Sequence, residues 1–150
     1  MNSDTEDALD ELMSLFPLTA SSDAFFDAVS KVAVLADPEA IPAILDLTDE
    51  GSELSHFLME SLEVYPPETF VPRFLAALPG FSRRNPQLAK IAVSGLVWNS
   101  FNLLAELAPG LPEQVKRALR KVLLEVDAPE MDAISSSRFS LLRDRLLETL

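Results

Sequence analysis

Apolar residues recur along this chain three and four positions apart, the spacing of helices buried on one face. No segment alternates apolar and polar residues as a half-buried strand would. Leu9, Leu12, Met13 and Phe16 form the first stripe, which Pro17 closes. Phe25, Val29, Val32 and Ala36 form the second, with Ser22 placed to cap it. Asp37 and Pro38 open the third helix, a good cap followed by a residue whose missing N–H goes unnoticed in a first turn. Its face is Ile41, Ile44, Leu45 and Leu47. After the turn Asp49-Glu50-Gly51, Ser52 is expected to cap a fourth helix with Leu54, Phe57, Leu58, Leu62 and Tyr65 turned inward.

Pro66-Pro67 starts the fifth helix, on which Phe70, Val71, Phe74, Leu75 and Leu78 share a face, and Pro79-Gly80 is expected to stop it. Asn85-Pro86 starts the next, with Leu88, Ile91, Ala92 and Leu96, and a break is expected near Gly95 to Asn99. Phe101, Leu104 and Leu107 make a short helix ending at Pro109-Gly110. Pro112 to Val126 carries Val115, Leu119, Val122, Leu123 and Val126 in register. Ala128-Pro129 separates it from a tail helix with Phe139, Leu142, Leu146 and Leu150, which Ser135-Ser136-Ser137 is placed to interrupt. The reading is all-α, with eight or nine helices joined by short turns.

Two prolines, Pro42 and Pro72, fall about one turn inside their helices, where each would delete a hydrogen bond and bend the axis. Their surroundings match at an offset of 30 residues: Glu39-Ala40-Ile41-Pro42-Ala43-Ile44-Leu45 against Thr69-Phe70-Val71-Pro72-Arg73-Phe74-Leu75. This weak repeat favours a HEAT-like stack of antiparallel helix pairs, a short α-solenoid, over an irregular bundle. The 150 residues suit a single helical domain: residues 1–20 as an N-terminal cap, 21–126 as the repeat-like core and 127–150 as a C-terminal cap.

Charge adds an asymmetry. Net charge is −12, but residues 1–68 hold 16 of the 24 acidic groups and one basic group, Lys31, giving −15. Residues 69–150 hold 8 acidic and 11 basic groups, giving +3. An acidic half repels nucleic acid and anionic membranes and attracts basic proteins from within a Debye length of about 8 Å. The basic residues Lys116, Arg117, Arg120 and Lys121 read as one solvated ridge on a helix, because no aromatics are interleaved among them. The acidic N-terminus is unlike a secretory signal, and no apolar run is long enough to span a bilayer, so a cytoplasmic protein is expected.

Chemistry is sparse. There is no cysteine and one histidine, His56, so a zinc site or a thiol nucleophile is not expected. No G-x-S-x-G elbow, phosphate loop or EF-hand register occurs; Asp46 to Gly51 fails the last. His56 reads as a structural or surface residue. The expectation is no enzyme and no cofactor, with function resting on a surface. Candidate binding residues are the acidic set Asp46, Asp49, Glu50, Glu53, Glu60 and Glu63, of which Glu53, Glu60 and Glu63 would share a helical ridge. Tyr65 and Trp98 join them as aromatic anchors, although a lone Trp is more often a core residue.

The stretch from Asp37-Pro38-Glu39-Ala40-Ile41-Pro42 through Leu58-Met59-Glu60-Ser61-Leu62-Glu63 to Asn85-Pro86-Gln87-Leu88-Ala89-Lys90 resembles the immunity protein 30 family, bacterial proteins encoded beside secreted or contact-delivered toxins. The resemblance spans roughly residues 20 to 125. It is carried by the order of proline-opened and acidic helices, not by an invariant motif. It implies a cytosolic protein that binds and neutralises a cognate toxin domain; the acidic half suits a basic toxin, with nucleases among the candidates. It carries no binding position over to this chain. A HEAT-like adaptor that binds another protein without inhibiting it is the alternative.

Overall fold

The helical spacing of apolar residues produces nine α-helices and no strand among the described residues, which in the computed structural model are 1–16, 22–126 and 133–150. The helices are α1 (Ser3–Met13), α2 (Ser22–Leu35), α3 (Ala40–Leu47), α4 (Ser55–Ser61), α5 (Pro67–Arg84), α6 (Pro86–Asn99), α7 (Phe101–Leu107), α8 (Glu113–Glu125) and α9 (Ala133–Glu148). Short 3₁₀ turns follow α4, at Leu62–Val64, and α7, at Ala108–Gly110. The expected stop at Pro17, the cap role of the Ser22 side chain and the break at Ala128-Pro129 lie outside the described residues.

The chain divides into two compact units, Met1–Phe74 and Leu75–Leu150, with the division inside α5. In the first, α1 packs on α2 and α3 on α4; then α1 meets α3 and α2 meets α4. Two helix pairs thus stack like on like, each burying its apolar stripe against the next, as repeat folds do. Phe25, Ile41, Ile44, Leu45, Leu58 and Leu12 fill the core of this unit. In the second unit, α6 packs on α7 and α8 on α9, and the pairs meet through α6 with α8 and α9 and through α7 with α9. Phe81, Leu78, Leu104, Leu119, Leu123 and Phe139 are buried there. Each such large side chain contributes about 1.5–3 kcal/mol by leaving water.

Several boundaries differ from the expectation, each for a local reason. Pro79-Gly80 does not stop α5, which runs on to Arg84. Leu75, Leu78 and Phe81 keep one continuous buried face across the proline, and packing outweighs the lost N–H. The Pro79 carbonyl accepts from Ser82 Oγ at 3.4 Å and Arg83 Nε at 3.1 Å. α3 begins at Ala40, later than Asp37-Pro38 suggests, because the Asp37 carboxylate accepts the Glu39 N–H at 3.0 Å and closes a turn of its own. Pro42 is therefore the third residue of α3, where its N–H would have no helical partner, and it deletes nothing. Pro72 is the sixth residue of α5 and does remove a bond, so the two aligned prolines hold inequivalent places.

α4 starts at Ser55 rather than after Ser52. The Asp49 carboxylate accepts the Gly51 N–H at 2.9 Å and Ser52 Oγ accepts the Leu54 N–H at 3.3 Å, so side chains satisfy the backbone in turns instead. The sixth helix breaks at Ser100, just past the expected window, and the following Phe101–Gly110 segment leaves it at 102°. Ser135 to Ser137 lie within α9 without interrupting it. Met13, placed on the first buried stripe, is 50% exposed, whereas Thr5 and Ala8 are buried in α1. Ala36 does not continue the α2 stripe: it is exposed, at φ 47°, just past the last helical residue. Among the described residues no single helix is long and apolar enough to cross a membrane.

Candidate functional site: acidic hollows of the first unit

The turn between α3 and α4 is built by its polar side chains. Thr48 leaves α3 in an extended conformation with its hydroxyl donating to the Ile44 carbonyl at 2.9 Å. Asp49, Gly51 and Ser52 then wind the chain back, with the Ser52 N–H on the Asp49 carbonyl at 2.9 Å. Gly51 sits against this turn: a Cβ there would lie 3.3 Å from Asp49 Oδ1, the atom that accepts its own N–H. The result is a hollow of about 410 Å³ lined by Phe16, Leu47, Leu54 and Leu58 on its apolar side and by Asp46, Asp49, Ser52 and Ser55 on its polar side.

Of the eight candidate residues, Asp46 and Asp49 are brought together at this hollow. Glu50 is half-buried in the turn beside them. Glu53, Glu60 and Glu63 are exposed but do not form one α-helical ridge, because Glu53 precedes α4 and Glu63 belongs to the 3₁₀ turn that follows it. Tyr65 is no surface anchor. It is 6% exposed, and its hydroxyl donates to the Asp37 carbonyl at 2.9 Å. Burial, and secondarily the charge of Asp37, pushes its phenol above the ordinary value of 10.0. Trp98 belongs to the second unit, where it is 39% exposed, 6.4 Å from the Phe139 ring and with the Arg138 guanidinium 6.0 Å from its own ring centre. The candidates therefore do not make a single patch within either unit.

His56 is exposed at the start of α4, its ring 4.0 Å from that of Phe57. Phe57 in turn meets Phe26 edge-on at 4.6 Å, Phe26 meets Phe25 at 5.7 Å, and Phe25 meets Phe16 at 6.4 Å. This aromatic row runs from half-buried Phe16 through buried Phe25 to exposed His56, and its phenyl rings meet edge-to-face as their quadrupoles favour. It gives His56 a packing role. Among the described residues no group of three or more His, Asp or Glu side chains is gathered to hold a metal.

A second acidic hollow went unseen in the sequence. Between α1 and α2 lies a groove of about 500 Å³ with Ala8, Val34 and Leu35 on its floor and Asp4, Asp7, Glu11 and Asp27 around it. Val34 is 82% exposed there. The four carboxylates come from two helices, and Asp4, Asp7 and Glu11 follow each other at three- and four-residue steps along one face of α1. That spacing was the available signal. Lys31, the cation of this groove, donates to both carboxylate oxygens of Glu11 at 3.0 and 3.2 Å and lies 3.7 Å from Asp27. The hydrogen bond and charge of Glu11, foremost, hold its ammonium above the ordinary 10.5. Its charge is thus spent inside the groove.

Each hollow pairs carboxylates with an apolar floor, the combination that receives a basic, partly apolar side-chain cluster from another protein. No protein family, curated protein or solved structure matches the chain.

Proposed function

We propose that the chain is an immunity-type protein that binds and neutralises a cognate bacterial toxin, a basic protein, through its acidic first unit. The observation that carries the reading is the charge of that unit. Met1–Phe74 holds 16 carboxylates against Lys31 and Arg73, a net of −14, and the two hollows combine such carboxylates with apolar lining. A field of this sign raises the encounter rate with a basic partner from about 10⁵–10⁶ to 10⁸ M⁻¹s⁻¹ or more at low salt. It also disfavours nucleic acid and anionic lipid at the same face. The order of proline-opened and acidic helices across roughly residues 20–125 resembles that of immunity proteins, and inhibition follows if the docked unit covers the toxin's own active site.

The test is co-expression with the product of the neighbouring gene. The expected result is a complex that survives physiological salt, rescues growth from the toxin, and associates roughly tenfold more slowly in an Asp46→Lys/Asp49→Lys double variant. A complex without growth rescue would instead make the chain a HEAT-like adaptor using the same surface. Absence of any complex, or an association rate indifferent to salt, would sink both.

A further inference from the structure

Charge in the second unit is arranged differently. The helix spacing of α8 divides its four basic residues into two stripes, Lys116 with Arg120 and Arg117 with Lys121, each four residues apart. Arg120 donates to the Leu150 carbonyl and so ties α8 to the end of α9. Arg117 and Lys121 instead line a cleft of about 470 Å³, to which α5 adds Arg83 from more than thirty residues earlier in the chain. Ser82 and the rings of Pro79 and Pro86 complete the lining from α5 and the start of α6. Against these three cations the lining holds one carboxylate, Glu125.

The cations are not consumed by the protein. Arg83 gives its Nε to the Pro79 carbonyl at 3.1 Å, which anchors the guanidinium at its root and leaves the two terminal nitrogens. Arg117 lies 3.9 Å from Glu113, an exposed pair too weak to hold it. Arg117 and Lys121, one turn apart, repel each other, and Arg83 adds a third like charge. Such convergence is relieved by an anion that carries more than one charge. Guanidinium forks match the paired oxygens of a phosphate, and Lys121 supplies a point charge beside them. The volume is that of a small-molecule site, and the proline wall suits an organic body better than a bare ion.

We propose that this cleft, walled by α5, α6 and α8 of the second unit, binds a phosphate-bearing small molecule through Arg83, Arg117 and Lys121. The test is calorimetric titration of the full chain, at low salt and constant ionic strength, with inorganic phosphate, phenyl phosphate and glutamate. Phenyl phosphate is expected to bind, and its dissociation constant to rise about tenfold or more in Arg117→Gln/Lys121→Gln and in Arg83→Gln. The Lys116→Gln/Arg120→Gln pair, on the other stripe, should leave it unchanged. All these side chains are exposed or half-buried, so circular dichroism should show each variant folded. Tighter binding of phenyl phosphate than of inorganic phosphate identifies an organic phosphate as the ligand, and equal binding identifies free phosphate. No binding up to about 10 mM, glutamate binding as tightly as phosphate, or affinity untouched in the cleft variants would overturn the proposal.

Discussion

The Tyr65 hydroxyl donates to the backbone carbonyl of Asp37, 2.9 Å away and 28 residues earlier in the chain. It joins the turn before α3 to the turn after α4, and so closes the second helix pair of the first unit from the side. The carbonyl it engages belongs to the residue whose carboxylate shapes the start of α3. A residue with the chemistry of an interface anchor is thereby used inside the protein.

Replacing Tyr65 with Phe should remove this bond and leave the buried ring in place, at a cost of about 1 kcal/mol in a denaturant titration. The variant should also change the alkaline limb of stability. The folded chain holds the phenolic proton above 10.0, so its stability is intact below that pH and falls as pH rises through the folded value. Tyr65→Phe should lose this component and keep the one of the same sign from Lys31. Tyr65 is the only tyrosine, so phenolate absorbance reads it directly. A midpoint at or below 10.0 would contradict the burial argument.

Ala36 ends α2 at φ 47°, a conformation in which an L side chain crowds the following carbonyl. Its N–H reaches the Val32 and Ala33 carbonyls at 3.3 and 3.1 Å, and the residue is exposed, so no packing depends on its methyl group. Ala36→Gly should therefore raise stability by about 1 kcal/mol, despite the greater freedom glycine has when unfolded. Thermal and denaturant unfolding measure it, and a loss of stability would show that the left-handed turn is not what ends the helix.

The prolines offer a paired comparison. Pro42→Ala should change stability by less than about 0.5 kcal/mol, because an N–H at the third position of α3 has no helical acceptor. Pro79→Ala restores a donor to the Leu75 carbonyl in the middle of α5 and relieves the ring's contact with that turn, and should stabilise by about 1 kcal/mol. The reverse ranking in the same denaturant series would mean that α3 begins at Pro38 after all.

Phe25 and Phe26 are neighbours on α2 with opposite fates. Phe25 is 1% exposed, between Phe16 and Phe26, and Phe25→Ala should cost about 3–5 kcal/mol. Phe26 is 37% exposed, between Phe25 and Phe57 in the aromatic row, and its truncation should cost about 1 kcal/mol, chiefly the lost contact with Phe57. Equal losses would show that the row acts as one unit rather than as a core residue with a surface extension.

Most of the helical inventory was legible in the pattern of the chain. The stripes through Leu9 and Leu12, Phe25 and Val32, Ile41 and Ile44, Leu119 and Val122, and Phe139 and Leu146 lie buried, because a 3.6-residue repeat leaves an apolar face little choice but to pack. The charge asymmetry was legible too, being a sum over residues that needs no coordinates. Boundaries were less so where a side chain competed for the backbone, as at Asp37, Asp49 and Ser52, or where packing carried a helix past a proline, as at Pro79. What the tertiary structure alone decided was convergence. Arg83 joins Arg117 and Lys121, Asp27 joins Asp4, Asp7 and Glu11, and Tyr65, expected to face inward, finds the Asp37 carbonyl as its partner. Local periodicity specifies which way a residue faces on its own helix; which residue of a distant helix stands opposite depends on how the helices pack, and that is a property of the whole core.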